Sequence, residues 1–392
     1  MRAMMRKNRW MLAVIGVLFI VTTLRVDVFC QTRVRSEPKI PDLPGYVTLK
    51  CDFHMHTVFS DGDVWPTVRV EEAWRQGLDA FSITDHIEYH PHKPDVLVDH
   101  NRPYEIAQPG AEVLNLIFVR GGEITRRMPP GHFNAIFLKD TDLLDTPDFM
   151  DAVKAAISQG AFVFWNHPGW TGQQPDGVSR WYPVHTELYE KKWMHGIEVV
   201  NGPEYYPAVH QWCLEKKLTM IGTSDVHSPI NLNYDFGGGE HRPMTLVFAK
   251  ERTAEALKEA LFARRTAVYW NHSVIGEDMY LRPMFGASIE IINPGVTIKG
   301  KGRATIQIRN KSDIPFRLTA AGEVEDVSVP RNITLYADKT VSFRMNGKSE
   351  TLSEKRRVRI PYEVKNLMIA PEEGLKVEFG IEITFMPADK KR

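Results

Sequence analysis

Between Val47 and Trp270 short apolar runs recur: LKCDF (49–53), AFSIT (80–84), LIFVR (116–120), AFVFW (161–165), IEVV (197–200) and LTMIG (218–222). Their length suits buried strands, and several are followed by stretches whose apolar residues return at helical spacing. In one such stretch Thr146 is the expected N-cap and Pro147 a first-turn residue, with Phe149, Met150, Val153, Ala156 and Ile157 forming the apolar stripe. Val70, Ala73, Trp74 and Gly77 repeat that spacing. Strands alternating with helices predict an α/β fold. From Ser288 to Phe385 the pattern becomes alternating, in ATIQIRN, KTVSFRM, RVRIPYEV and KVEFGIEITFM, which predicts a small β-sandwich. The expected organisation is a linker at 31–46, a barrel at 47–284 and a C-terminal β-sandwich domain at 285–392.

The first thirty residues read as an address. Arg2, Arg6, Lys7 and Arg9 precede an apolar run from Trp10 to Leu24, and Val28 and Cys30 stand at the −3 and −1 positions of a cut before Gln31. That run has 15 residues, short of the ~20 a spanning helix needs, so residues 1–30 are expected to be a cleaved signal peptide. The expected location is periplasmic or secreted, with no stable membrane insertion after cleavage.

Lysine plus arginine equals aspartate plus glutamate, at 49 each, so no global field favours nucleic acid or anionic lipid, and no nucleic-acid partner is expected. The three cysteines, Cys30, Cys51 and Cys213, lack the paired spacing of a thiolate zinc site. Cys51 falls in a strand-like run and Cys213 shares a helical stripe with Val209 and Trp212, so two separately buried thiols are expected rather than a bridge. Any metal must be held by histidine and carboxylate. All 14 histidines and all nine tryptophans precede residue 273, which puts that chemistry in the first domain.

Those residues follow the strands. His54 and His56 come after LKCDF, Asp85 and His86 after AFSIT, Glu123 after LIFVRGG, His167 after AFVFWN, and Asp225 and His227 after LTMIGT. In a parallel barrel such strand ends converge on one face. His132 departs from the rule, because it begins the run HFNAIFL. A lone histidine is more often a satisfied polar residue than a ligand; five or six after successive strands reverse that balance.

The segments DFHMHTVFSDG (52–62), ITDH (83–86), GGEIT (121–125), NHP (166–168) and GTSDVH (222–227) resemble the PHP (polymerase and histidinol phosphatase) superfamily in order and spacing. Within it, DFHMHTVFSDGDVWPT and EYHPHK are similar to secreted phosphodiesterases of the Sb-PDE type. The resemblance implies a distorted (β/α)7 barrel and a centre of two or three divalent ions, zinc, manganese or iron, activating hydroxide for attack on a phosphate ester. His54, His56, Glu123 and Asp225 would hold the first ion, Glu123, His132 and His167 the second, and Asp61, His86 and His227 the third, with Asp63 an alternative to Asp61. Glu123, as the bridge, and Asp225 and His227 are thereby expected at the catalytic centre. Asp85 either orients an imidazole from behind or serves a turn.

Substrate contacts are expected from the segment Glu88–Pro103, which carries His90, His92, Lys93, His100 and Arg102 and reads equally as a solvated basic loop. Arg126 and Arg127 are similar candidates, Asn201 is preferred over Glu198, and Trp165, Trp170 and Trp181 either wall a pocket or belong to the core. The expected substrate is a small phosphate ester, most simply a diester. Alternatives are a phosphomonoesterase of the histidinol-phosphatase kind, an amidohydrolase-like metal-dependent hydrolase, and a glycan- or partner-binding protein with an inert barrel.

Overall fold

The computed structural model describes residues 32–389; residues 1–30, expected to be a signal peptide, and Cys30 with them lie outside the described residues. The expected strands form, interleaved with helices: β1 (Val47–Asp52), β2 (Ala80–Phe81), β3 (Ile117–Phe118), β4 (Gly121–Ile124), β5 (Phe133–Ile136), β6 (Phe162–Trp165), β7 (Gly196–Asn201), β8 (Glu204–Tyr205), β9 (Thr219–Thr223), β10 (Met244–Ala249), β11 (Thr266–Trp270) and β12 (Ser273–Gly276). One sheet runs β3-β2-β1-β10-β11-β12 and the other β4-β5-β6-β7-β8, with β9 on β7. Strands β1, β2 and β3 are parallel, as are β6, β7 and β9, whereas β10, β11 and β12 return antiparallel. The barrel is thus mixed, where the sequence pattern suggested a parallel one. Isolated bridges Met55–Val226 and His86–Glu123 close the sheets onto each other where the histidines sit.

Two helix boundaries differ from expectation. The helix Phe149–Ser158 is capped by Asp148, whose carboxylate accepts the Asp151 N–H, while the Thr146 hydroxyl is turned onto the Asp148 carbonyl. A carboxylate next to the first turn takes the cap ahead of a hydroxyl two residues earlier. Gly77 is not part of a helical stripe: the helix Pro66–Arg75 has ended, and Gly77 turns the chain at φ +77°, a conformation that favours glycine. Cys51 and Cys213 are both buried and free, as expected.

The C-terminal part continues with β13 (Ile289–Ile291), β14 (Gly295–Lys299), β15 (Arg303–Asn310), β16 (Phe316–Ala320), β17 (Val327–Ser328), β18 (Asn332–Leu335), β19 (Thr340–Gly347), β20 (Glu354–Ala370) and β21 (Glu373–Met386). Residues alternate buried and exposed along β15 and β21, as sheets with one face on a core require. One layer is β13-β15-β19-β17; the other holds β14, β21, β20, β16 and β18. The second layer joins the barrel, because β20 pairs in parallel with β12 through Val274–Leu367 and Ile275–Met368. Among the described residues no helix is long and apolar enough to cross a membrane.

Candidate metal centre

His54 and His56 leave β1 two residues apart, so both project to the same side while Met55 is buried in the core between them. Asp61 is brought beside them by a tight turn, since a Cβ on Gly62 would lie 2.6 Å from the His56 backbone. His132 reaches the same place although it precedes a strand. Strands β4 and β5 are an antiparallel pair with Ile124 opposite Phe133, so the start of β5 lies beside the end of β4 and sets His132 next to Glu123. His167 and Asp225 sit at φ +30° and +51°, left-handed conformations rare for such residues. They are held there by hydrogen bonds from His167 N to Glu198 Oε2 at 2.6 Å and from Asp225 N to His54 O at 3.0 Å.

The result is a cluster of six imidazoles and three carboxylates. It forms four overlapping groups, His54–His56–Asp225, His54–Glu123–His167, His86–Glu123–His132 and His56–Asp61–His86–His227, each with its donor atoms within 4.8 Å of one another. All nine expected ligands gather here, and Glu123 belongs to two groups. Asp63 stays outside: its exposed carboxylate accepts the Ser228 hydroxyl at 2.9 Å.

The donor set fits cations better than it fits hydrogen bonding. His54 Nε2 and His56 Nε2 face each other at 3.1 Å, and each lies 3.1 Å from Asp225 Oδ1. Glu123 Oε2 and Asp225 Oδ1 are buried yet receive no aligned hydrogen bond. A buried acceptor left this way is costly, whereas an ion seated among these atoms would take up their lone pairs. Histidine and carboxylate donors without thiolate suit zinc, manganese or iron.

The charges agree. Burial opposes ionisation of Glu123, but His86, His54 and His132 outweigh it and hold the carboxyl well below the usual range; Asp225 is held down likewise by His54 and His56. Burial, with His227 and His86 adding to it, depresses His56 to about 3, so it is neutral with a lone pair to offer. Burial would also lower His54 and His86, but the carboxylates prevail: Asp225, Glu198 and Glu123 raise His54 well above its ordinary value, and Glu123 and Asp61 raise His86 to about 10.

Three supports were not legible as such in the sequence. Glu198, ranked behind Asn201 as a substrate contact in the sequence, accepts His54 Nδ1 at 2.7 Å and the Thr223 hydroxyl at 2.6 Å. That leaves His54 Nε2 facing the cluster, the usual support for a ligating histidine. Arg69 is fully buried and donates to the carbonyls of His56, Val226, His227 and Ser228 and to Glu72, tying the two ligand-bearing strand ends together. Arg242 pairs with buried Asp52, whose other oxygen accepts His54 N and Ser224 N. Asp85 resolves toward the turn: it accepts Thr57 N, the Thr57 hydroxyl and the Ser60 hydroxyl, shaping the loop that carries Asp61.

The expected substrate groups are more scattered. Asn201 Nδ2 donates to Glu198 Oε2 and to Asp225 Oδ2, so it braces the ligands. His90 places its ring nitrogens 2.9 and 2.8 Å from the Phe59 and Ile87 carbonyls, clamping its loop to the protein. Lys93 is exposed, and Arg102 starts the helix Arg102–Val113 and pairs with Glu105. Arg126 binds Glu88 and the Thr146 carbonyl, while Arg127 is exposed. Trp165 is core, fully buried and stacked on His185 at 3.8 Å. Trp170 is 42% exposed with its ring 5.3 Å from that of His167 and 6.0 Å from that of His132, at the edge of the cluster.

Fold and cluster together define a metal-binding α/β barrel followed by a β-sandwich. A family model described as an Ig-like domain matches residues 289–380. A solved structure from Bacteroides vulgatus, of a two-domain protein described as containing a predicted PHP-like metal-dependent phosphoesterase, is 48% identical; it covers 89% of this chain and 100% of its own, with a TM-score of 0.85. The chain belongs to the PHP-like metal-dependent phosphoesterases. Two further structures align less fully. A structure from Bifidobacterium adolescentis, described as a putative metal-dependent phosphoesterase, is 18% identical over 45% of this chain and 87% of its own, with a TM-score of 0.36. An amidohydrolase from Chromobacterium violaceum is 15% identical over 46% and 88%, with a TM-score of 0.34. A search of curated proteins gave no match.

Proposed function

We propose that the protein is an exported phosphodiesterase that holds two or three divalent ions in this cluster. His54, His56, Glu123 and Asp225 would hold the first, Glu123, His132 and His167 the second, and Asp61, His86 and His227 the third. Bound ions would supply charge neutralisation on the phosphoryl oxygens and a water acidified enough to attack at neutral pH. The chain's own contribution is orientation: Glu198 fixes His54, Asp85 fixes the Asp61 turn, and Arg69 fixes the backbone of His56 and His227.

The observation that carries the diester reading is Trp170, a half-exposed ring beside two ligands. A diester brings a second substituent that such a ring can cover. A monoester dianion rewards additional cationic clamps, yet Arg126, Arg69 and Arg242, the arginines tied closest to the cluster, are engaged with protein carboxylates and carbonyls. The likeness of DFHMHTVFSDGDVWPT to secreted phosphodiesterases supports the same choice.

The test compares metal-loaded protein on an aryl phosphate diester and its matching monoester. A higher kcat/KM for the diester is expected, with Trp170→Ala harming the diester more. Monoester preference under every metal tried overturns the reading in favour of a phosphomonoesterase. Export is tested separately, by N-terminal sequencing of protein recovered outside the cytoplasm; a chain that begins at Met1 refutes cleavage after Cys30.

A further inference from the structure

Beyond Asn201, which braces the metal cluster, lies a cavity of about 260 Å³, bordered by Gly202, Tyr234, Glu240, His241, Trp270 and His272. Its connection to the cluster is direct along the chain. Gly202 follows Asn201, whose amide donates to Asp225 at 3.2 Å, and a Cβ on Gly202 would lie 3.5 Å from the carbonyl of Ser224, the residue before Asp225. Tyr234 lines the same cavity, and its phenol is pushed up chiefly by burial, with Arg242 opposing and Asp52, Asp225 and Glu240 adding to the rise.

The character of this cavity is opposite to that of the metal cluster. The cluster collects cations and therefore an anion; the cavity wall has a carboxylate, two aromatic rings and neither lysine nor arginine among its described residues. His241 adds no charge. Its Nδ1 faces the Arg242 carbonyl, its Nε2 accepts His272 N, and burial lowers it to about 4. Aromatic faces with one carboxylate favour an organic cation, whereas a second phosphate or carboxylate would be repelled by Glu240.

We propose that this cavity receives the ammonium-bearing arm of a phosphate diester, a substituent of the choline or ethanolamine kind, with Trp270 and Tyr234 as its aromatic walls and Glu240 as its counter-charge. The inference rests on the diester reading above and names the substrate class: a zwitterionic diester whose phosphate binds at the metals and whose cation lies a few bonds away, in the neighbouring cavity.

The test uses isosteres on the metal-loaded full chain. Calorimetric affinities are measured for phosphocholine and for 3,3-dimethylbutyl phosphate, which replaces nitrogen by carbon at nearly equal shape. Phosphocholine is expected to bind about tenfold tighter or better, and Glu240→Gln and Trp270→Ala are expected to remove most of that difference. Glu240 is exposed, so its variant keeps the test open should Trp270→Ala not fold. Equal affinity for the two isosteres overturns the proposal. Cleavage of 4-nitrophenyl phosphate but of neither 4-nitrophenyl phosphocholine nor ethyl 4-nitrophenyl phosphate overturns the diester reading instead, and the affinity pair still judges the cavity.

Discussion

Glu198 Oε1 stands 2.7 Å from His54 Nδ1, with both side chains fully buried. The contact fixes which imidazole nitrogen faces the metals, and the same carboxylate accepts the backbone N–H of His167, so one residue orients ligands from two strands. Glu198→Gln keeps the size and removes the charge. Metal affinity, measured by competition with a chromogenic chelator, is expected to fall by about 10- to 100-fold. Unchanged affinity would show that Glu198 only fills the barrel.

Arg69→Met leaves four backbone carbonyls and Glu72 without their donor in a buried place. Removing one partner of such a set costs about 3–5 kcal/mol, so chelator-treated protein should show a clear drop in urea midpoint. Metal content per chain, determined on protein refolded at low temperature, should fall as well, because His56 and His227 lose their common anchor.

Metal binding should release protons. His54 and His86 are held protonated by the surrounding carboxylates, His86 to about 10, and each must shed that proton to ligate. Affinity therefore rises with pH through the neutral range. Titration calorimetry at pH 7 in buffers of different ionisation enthalpy should report a net release of protons on loading, to which His167 and His227, also raised by the carboxylates, add. Buffer-independent heats would contradict it.

Acid stability follows from a histidine away from the metals. Burial lowers His185 to about 4, and its Nδ1 accepts the Tyr182 N–H while Nε2 faces the Pro130 carbonyl. The unfolded chain takes up this proton near ~6.5, the folded chain only near 4, so the unfolded state binds more protons between those values and stability falls as pH drops through that window. At about 1.36 kcal/mol per unit the full effect is roughly 3 kcal/mol. Urea unfolding at pH 4.5 and 7 should show a smaller difference in His185→Gln than in the parent; His195, also lowered to about 4 by burial, acts in the same direction.

Seven of the nine expected ligands, His54, His56, His86, Glu123, His167, Asp225 and His227, were legible because histidine and carboxylate follow strand-like runs; Asp61, in a turn, came from the PHP resemblance alone, and His132 begins a strand instead of ending one. The supports were less so. Arg69 sits in the helix Pro66–Arg75 with the look of a surface residue, and only the folded chain reveals that its guanidinium enters the core to reach Val226–Ser228, more than 150 residues away in sequence. His90 and Arg102 show the converse: basic residues in a loop-like segment suggested phosphate, but carbonyls and Glu105 are their partners. Trp165 and Trp170 have the same side chain five positions apart, yet one ends a buried strand and the other sits on an exposed loop. The mixed strand directions stayed hidden for a similar reason, since an apolar run carries no arrow.

Strand β12 would be the last strand of the barrel sheet, and its outer rim is covered by Leu367 and Met368 of β20. An open rim of unpaired amides and carbonyls is a template on which other chains can add strands. The Ig-like domain therefore acts as a sheath for the enzyme's exposed border, and a barrel cut free near residue 285 would carry a sticky flank into solution.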